Sequence, residues 1–284
     1  LAATAMPFAF AGGGLLFAGS RALTALGSPQ LLAAGAALLL VAMVGLLGVV
    51  DRAAVFTAAT VIGLLTVIGA WVASPGLLSG HESAGIVAGA GLAFSPLLHP
   101  LAIRLARVPM PVLPRGTADL VRDDPQPPRD AVYAAVVRAD GLLTGFVLGL
   151  AAVVVPCEIL LVRRGGTAPL LLLGLLTAGF LLRARLYPIL PQRIAMLAAG
   201  GAGLACLALG PLMANRSVLL DVAGPALLVV GATATALGVW HTGRARNPYL
   251  GRYAEILEVL VVLAIMPVLS SVLGLYGDLR GLGG

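Results

Sequence analysis

The 284-residue chain contains no lysine, and all 18 of its basic residues are arginine, which reads as GC-rich coding rather than as function. Acidic residues number 12, so charge of either sign is scarce throughout. A soluble domain of this length would need far more polar surface. There are two cysteines, Cys157 and Cys206, each in an apolar run and without a CxxC pair, which excludes a disulfide framework and a thiolate metal centre. The three histidines, His81, His99 and His241, are scattered, and no metal site is expected from them. The chain also lacks the phosphate-binding GxxxxGK[ST] loop, the GxSxG elbow of serine hydrolases and the HExxH motif of zinc proteases.

What remains is hydrocarbon. Apolar residues make up 60% of the sequence and the mean hydropathy is +1.03. Apolar runs recur at about the 20 residues needed to cross roughly 30 Å of lipid. They predict an all-α integral membrane protein, a polytopic bundle of about nine transmembrane helices at 2–20, 31–50, 53–73, 84–103, 141–162, 168–182, 194–213, 218–240 and 256–276. The sixth is short. Fifteen residues reach only about 23 Å at 1.5 Å per residue, so Arg183 and Arg185 are expected to snorkel or the bilayer to thin. The chain opens at Leu1 already inside an apolar run, as a portion of a longer protein would.

The division that follows is four spans in 1–103, a proline-rich loop at 104–140, and five spans in 141–284. Counting arginines orients it. With the loop inside, thirteen arginines face the cytoplasm and five the exterior, so the loop is expected to be cytoplasmic and the C-terminus external. Within the loop Pro109, Pro111, Pro114, Pro125, Pro127 and Pro128 break any helix, and aspartates alternate with arginines. It reads as an extended strap. Asp130 suits an N-cap for a helical lead-in over 131–139, offering Val132, Tyr133, Val136 and Val137 for docking. A solvated linker and a docked strap both fit. The balance of prolines and charges favours docking, with Arg115, Asp123, Asp124 and Arg129 as its contact residues and Arg252, Glu255 and Glu258 as their counterparts at the start of the last span.

Ionisable residues within spans are the default candidates for chemistry. The deepest are Glu158, Asp221 and Glu258, each some seven to nine residues from its span's centre, which predicts interfacial ion pairs: Glu158 with Arg163 and Arg164, and Asp221 near Arg216. Glu255 and Glu258, three apart near a helix start, can face one neighbour. No catalytic residue is expected. Glycine spacing carries more. Gly141, Gly145 and Gly149 share one helix face, as do Gly85 and Gly89, a pattern that lets backbones approach closely. Internal helix packing is the first reading, contact with a second copy the next, and chance spacing the last. Prolines at 96, 156, 211, 225 and 267 favour gaps between helices.

Two stretches carry a family resemblance. The first is Asn247-Pro248-Tyr249-Leu250-Gly251-Arg252-Tyr253-Ala254-Glu255-Ile256-Leu257-Glu258, with Tyr276-Gly277-Asp278-Leu279-Arg280-Gly281 after the final span. The second is Phe94-Ser95-Pro96 continuing through Ala102-Ile103-Arg104-Leu105-Ala106-Arg107-Val108-Pro109-Met110-Pro111. Both resemble EccD, the polytopic subunit of type VII (ESX) secretion machinery. The resemblance implies a ubiquitin-like domain and two further spans outside this sequence, making an eleven-helix protein. It also implies a non-enzymatic, channel-forming scaffold in the inner membrane that pairs with a second copy around a lipid-filled space. Implied partners are EccB, the EccC ATPase and EccE, with small helical proteins as export substrates and neither cofactor nor nucleic acid. A secondary transporter of small solutes is the alternative, but it would need a midplane site and an internal repeat, and neither is evident. An enzyme acting on lipid-linked substrates would have only His81 and Glu82 as an acid–base pair.

Overall fold

The computed structural model describes residues 27–48, 53–109, 128–210 and 248–275. Among these, eight α-helices follow in order: α1 (Ser28–Gly48), α2 (Ala53–Val72), α3 (Gly80–Phe94), α4 (Leu98–Leu105), α5 (Arg129–Arg164), α6 (Thr167–Arg183), α7 (Leu190–Leu209) and α8 (Pro248–Val272). A 3₁₀ turn, Ser95–Leu97, joins α3 to α4, so that both belong to one 26-residue span, Gly80–Leu105. Seven helical segments among the described residues are long and apolar enough to cross a membrane. They correspond to seven of the nine expected spans; those at 2–20 and 218–240 lie outside the described residues. The links of a few residues between most neighbours make them antiparallel. The ends of α1, α4 and α6 therefore lie with the starts of α2, α5, α7 and α8, here termed the loop end, and the opposite termini form the far end.

Two boundaries differ from the expectation. Of the expected 104–140 loop, residues 129–140 are helical: the expected lead-in over 131–139 is present, begins at Arg129 and runs without a break into the fifth span as one 36-residue helix. At 1.5 Å per residue it is about 54 Å long, well beyond a 30 Å core, so more than two fifths of it stands outside the hydrocarbon. Pro128 occupies the N-cap, with Asp130 inside the first turn rather than capping it. A proline with extended ψ directs the chain into a helix without needing an amide bond, and an acid in the first turn still complements the dipole. The sixth span is longer than its apolar run. A 3₁₀ turn, Ala184–Leu186, extends α6 to a 20-residue span, Thr167–Leu186, which removes the need for a thinned membrane.

α5 is the centre of the bundle, in contact with α2, α3, α4, α6 and α7. Its buried positions Val147, Val154 and Leu161 meet Leu92 of α3, Leu172, Leu176 and Phe180 of α6, and Met196 of α7 in the main core. α8 closes this group from the side of α3 and α6. A second, smaller core lies between α1 and α2, around Leu38, Ala42, Phe56 and Ala59. Gly165 (φ 66°) and Gly166 (φ 88°) turn the chain from α5 into α6, a left-handed pair that side-chain-bearing residues would resist.

Candidate functional site

At the loop end, charge joins α6 to α8. Arg183, the last residue of α6, is buried, and its Nη2 lies 2.9 Å from Glu258 Oε1; side-chain exposures are 5% and 13%. Arg185, in the following 3₁₀ turn, places Nη2 3.5 Å from the second oxygen of Glu258 and donates from Nη1 to the Gly251 carbonyl at 3.1 Å. One carboxylate thus serves two guanidinium groups. Neither arginine Nε has an acceptor among the described residues, and with two guanidinium groups on one carboxylate the clasp carries excess positive charge. Beside it the Tyr187 ring, 1% exposed, stacks on His99 of α4 at a centroid distance of 4.9 Å. Burial pushes the Tyr187 hydroxyl up to about 12, which keeps it protonated. The expected snorkelling of Arg183 does not occur, because Glu258 receives it inside the bundle.

A second polar joint lies close by. Gln192, in the first turn of α7 and buried, donates from Nε2 to Asp140 Oδ1 at 2.8 Å and to Thr144 Oγ1 at 3.0 Å, both on α5. Asp140, the last charge of the expected loop, is therefore part of the helix packing. One turn further along α5 the contact changes in kind. A Cβ on Gly145 would come 2.5 Å from the Ala54 carbonyl oxygen and 2.6 Å from Thr57 Cβ. On Gly149 it would come 2.7 Å from the Ala58 carbonyl oxygen. On Gly141 the nearest atom among the described residues would be 4.0 Å away. This face rests on the backbone of α2 and is not free for a second copy. Gly85 and Gly89 face side chains instead: Leu172 of α6 and Leu269 of α8 for the first, Ile265 of α8 for the second.

The other expected contact residues divide. Arg129, Arg252 and Glu255 are exposed, while Arg115, Asp123, Asp124 and Asp221 lie outside the described residues. Glu255 does not share the neighbour of Glu258. Glu158 is corrected: it forms no interfacial pair with Arg163 or Arg164 but is wholly buried, without a hydrogen-bond partner among the described residues. It faces α6 and α7, where a Cβ on Gly203 would meet its Oε1 at 2.7 Å and would also meet Thr177 Oγ1. At the far end, the Glu82 carboxylate accepts from the Ser79 amide and hydroxyl, both at 2.7 Å, and the Ser79 hydroxyl lies 2.8 Å from His81 Nδ1. That is a helix start, with Glu82 occupied in holding it. Reading the sequence missed Gln192 and Tyr187 entirely. The available signal for Arg183 was an arginine ending a run too short to cross the bilayer.

The family model described as EccD-like transmembrane domain matches residues 1–282. Among solved structures, protomer 1 of the ESX-3 core complex is similar at a TM-score of 0.72 and 20% identity, over 97% of this chain and 62% of that one. A chain of the MycP5-free ESX-5 inner membrane complex, State II, is similar at 0.57 and 23% identity, over 77% of this chain and 50% of that one. The chain thus spans less than two thirds of the length of either. No curated protein matches it. With a family match from one end of the sequence to the other and a multi-pass helical fold shared with these structures, the chain belongs to the EccD family.

Proposed function

We propose that the protein is a non-enzymatic membrane scaffold and channel-forming subunit of a type VII secretion complex, exporting small helical proteins. The family match over residues 1–282 carries this reading. Chemistry supports it: Glu258, Arg183, Gln192 and Asp140 bind helix to helix, and Glu82 holds a helix start. None of them forms part of a nucleophile, base and orienter set. In this reading the loop end is cytoplasmic, the C-terminus is external, and a second copy packs across a lipid-filled space. EccB, the EccC ATPase and EccE bind at the loop end. The part of α5 that stands beyond the hydrocarbon supports such docking, since Tyr133, Val136 and Val137 are exposed at 77%, 51% and 64% on one side of it.

The charged collar of Arg115, Asp123, Asp124, Arg129, Arg252 and Glu255 gives the test, Glu258 being taken up inside the bundle by Arg183 and Arg185. An exposed ion pair is worth about 0–1 kcal/mol, so a single reversal should change partner recovery by no more than roughly fivefold. Converting Asp123, Asp124 and Glu255 together to arginine adds like-charge repulsion across a docked surface and should remove EccB, EccC and EccE from the purified complex while the spans still insert. Co-purification against wild type, with secretion assayed in the same cells, reads the result. Normal assembly of the triple variant would make the collar a solvated linker.

A further inference from the structure

A cleft of about 300 Å³ opens between α1, α2, α3 and α5. It is lined by residues of a single chain. Its walls follow from small residues and a proline. Gly69 and Ala70 on α2, with Ala73 just past its end, face Gly80, Ser83 and Ala84 on α3, and these short side chains leave volume that leucines elsewhere in the bundle fill. Across from them Ala152, Pro156 and Leu160 of α5 line the opposite wall. Pro156 has no amide to bond the Ala152 carbonyl, so the α5 ladder is interrupted where the cleft is lined. In the lining the Ser83 hydroxyl is already engaged, donating to the Gly69 carbonyl at 2.5 Å.

The position of the cleft along the bundle is informative. Ala73 and Gly80 lie at the far end, and the lining on α2 descends to Ile62, eleven residues deeper, or about 16 Å at 1.5 Å per residue. That is half of a 30 Å hydrocarbon core, the depth of one leaflet. The mouth is cationic. Arg163 and Arg164, three and four residues beyond Leu160, continue the lined face of α5 by helical spacing to the membrane surface. Both are exposed, and neither makes an ion pair among the described residues. The nearby carboxylate of Glu82 accepts hydrogen bonds from Ser79 and lies within electrostatic reach of Arg164, so two arginines and one carboxylate leave the mouth a net positive charge. A leaflet-deep apolar slot beneath two available guanidinium groups has the chemistry of one molecule, with a hydrocarbon tail and an anionic head.

We propose that this cleft holds an acyl chain of an anionic phospholipid whose phosphate is bound by Arg163 and Arg164. The full-length protein, extracted in mild detergent and supplied with phosphatidylglycerol or phosphatidylcholine, is measured by native mass spectrometry. Wild type should retain phosphatidylglycerol at least tenfold better than phosphatidylcholine. Ala152→Phe, at an exposed lining position, should fill the slot and cut retention of both lipids at least tenfold. Arg163→Gln with Arg164→Gln should abolish the preference between lipids and leave tail binding. Thermal midpoints and co-purified partner subunits are recorded for each variant, so loss of the fold or of the scaffold role is seen separately from loss of lipid. Equal retention of the two lipids by wild type, undiminished retention by a folded Ala152→Phe variant, or a cleft cysteine that cross-links to protein while excluding lipid would each overturn the proposal.

Discussion

α6 meets α8 through charge, whereas α2 meets α5 through the absence of side chains. In the first contact Arg183, Arg185 and Glu258 cross the gap. In the second, Gly145 and Gly149 let one helix lie on the backbone of the other. Lipid supplies no hydrophobic drive for either contact, so both must rely on direct interaction. They fail in different ways. A charged joint tolerates small movements but not the loss of one partner; a backbone joint has no partner to lose but no room for an added atom.

Removal of one partner should therefore produce the largest effect. Glu258→Leu leaves the buried Arg183 guanidinium uncompensated, a loss of about 3–5 kcal/mol, and should lower the thermal midpoint of the detergent-solubilised protein by on the order of 10 °C. Arg183→Leu added to it should recover most of the loss, because two apolar side chains replace the buried pair, while Arg185, 28% exposed, keeps water and the Gly251 carbonyl as partners. If the double variant is no more stable than the single one, the arginine is required for its shape and contacts rather than for its charge.

Adding an atom to the other contact ranks next. Gly145→Val would force its branches toward the Ala54 carbonyl and Thr57, both fixed parts of α2, and should cost about 1–3 kcal/mol through helix separation. Gly141→Ala, whose nearest neighbour would be at 4.0 Å, is the matched control and should be neutral or slightly stabilising. Equal behaviour of the two would mean that the α2–α5 joint yields as a rigid pair.

The same comparison explains what the sequence revealed. Hydropathy located the seven described spans because an apolar run long enough to cross lipid has few other uses. The GxxxG spacing marked helix faces at which backbones could come close, but not whether α2 or a second copy would cover the Gly141–Gly149 face. That depends on long-range packing, which no local pattern carries. Charge was legible in amount and not in direction. Glu158 was placed at an interface from its distance along the helix, yet it faces α6 and α7 and is wholly buried. Depth in the bilayer and angle around the helix are independent coordinates, and hydropathy gives only the first. Arg183 was misplaced for the related reason that its partner, Glu258, is 75 residues away in sequence.

The smallest effects lie where a glycine faces something that can move, or faces nothing. A Cβ on Gly85 would stand 3.0 Å from Leu172 Cδ2 and 3.3 Å from Leu269 Cδ1, the ends of flexible side chains. Gly85→Ala should therefore cost no more than about 0.5 kcal/mol, since the helix-propensity gain of alanine offsets most of the crowding. Gly174, on α6, has no atom of the described residues within 4 Å of such a Cβ, and Gly174→Ala should stabilise the isolated chain by about 0.5 kcal/mol through the same propensity. Its value lies in a second measurement on the assembled complex. If Gly174→Leu leaves the isolated chain folded and the complex intact, that face of α6 meets lipid. If the same variant remains folded alone but loses partner subunits or its second copy, the open side of Gly174 is an assembly contact, and the backbone type of joint extends beyond the single chain.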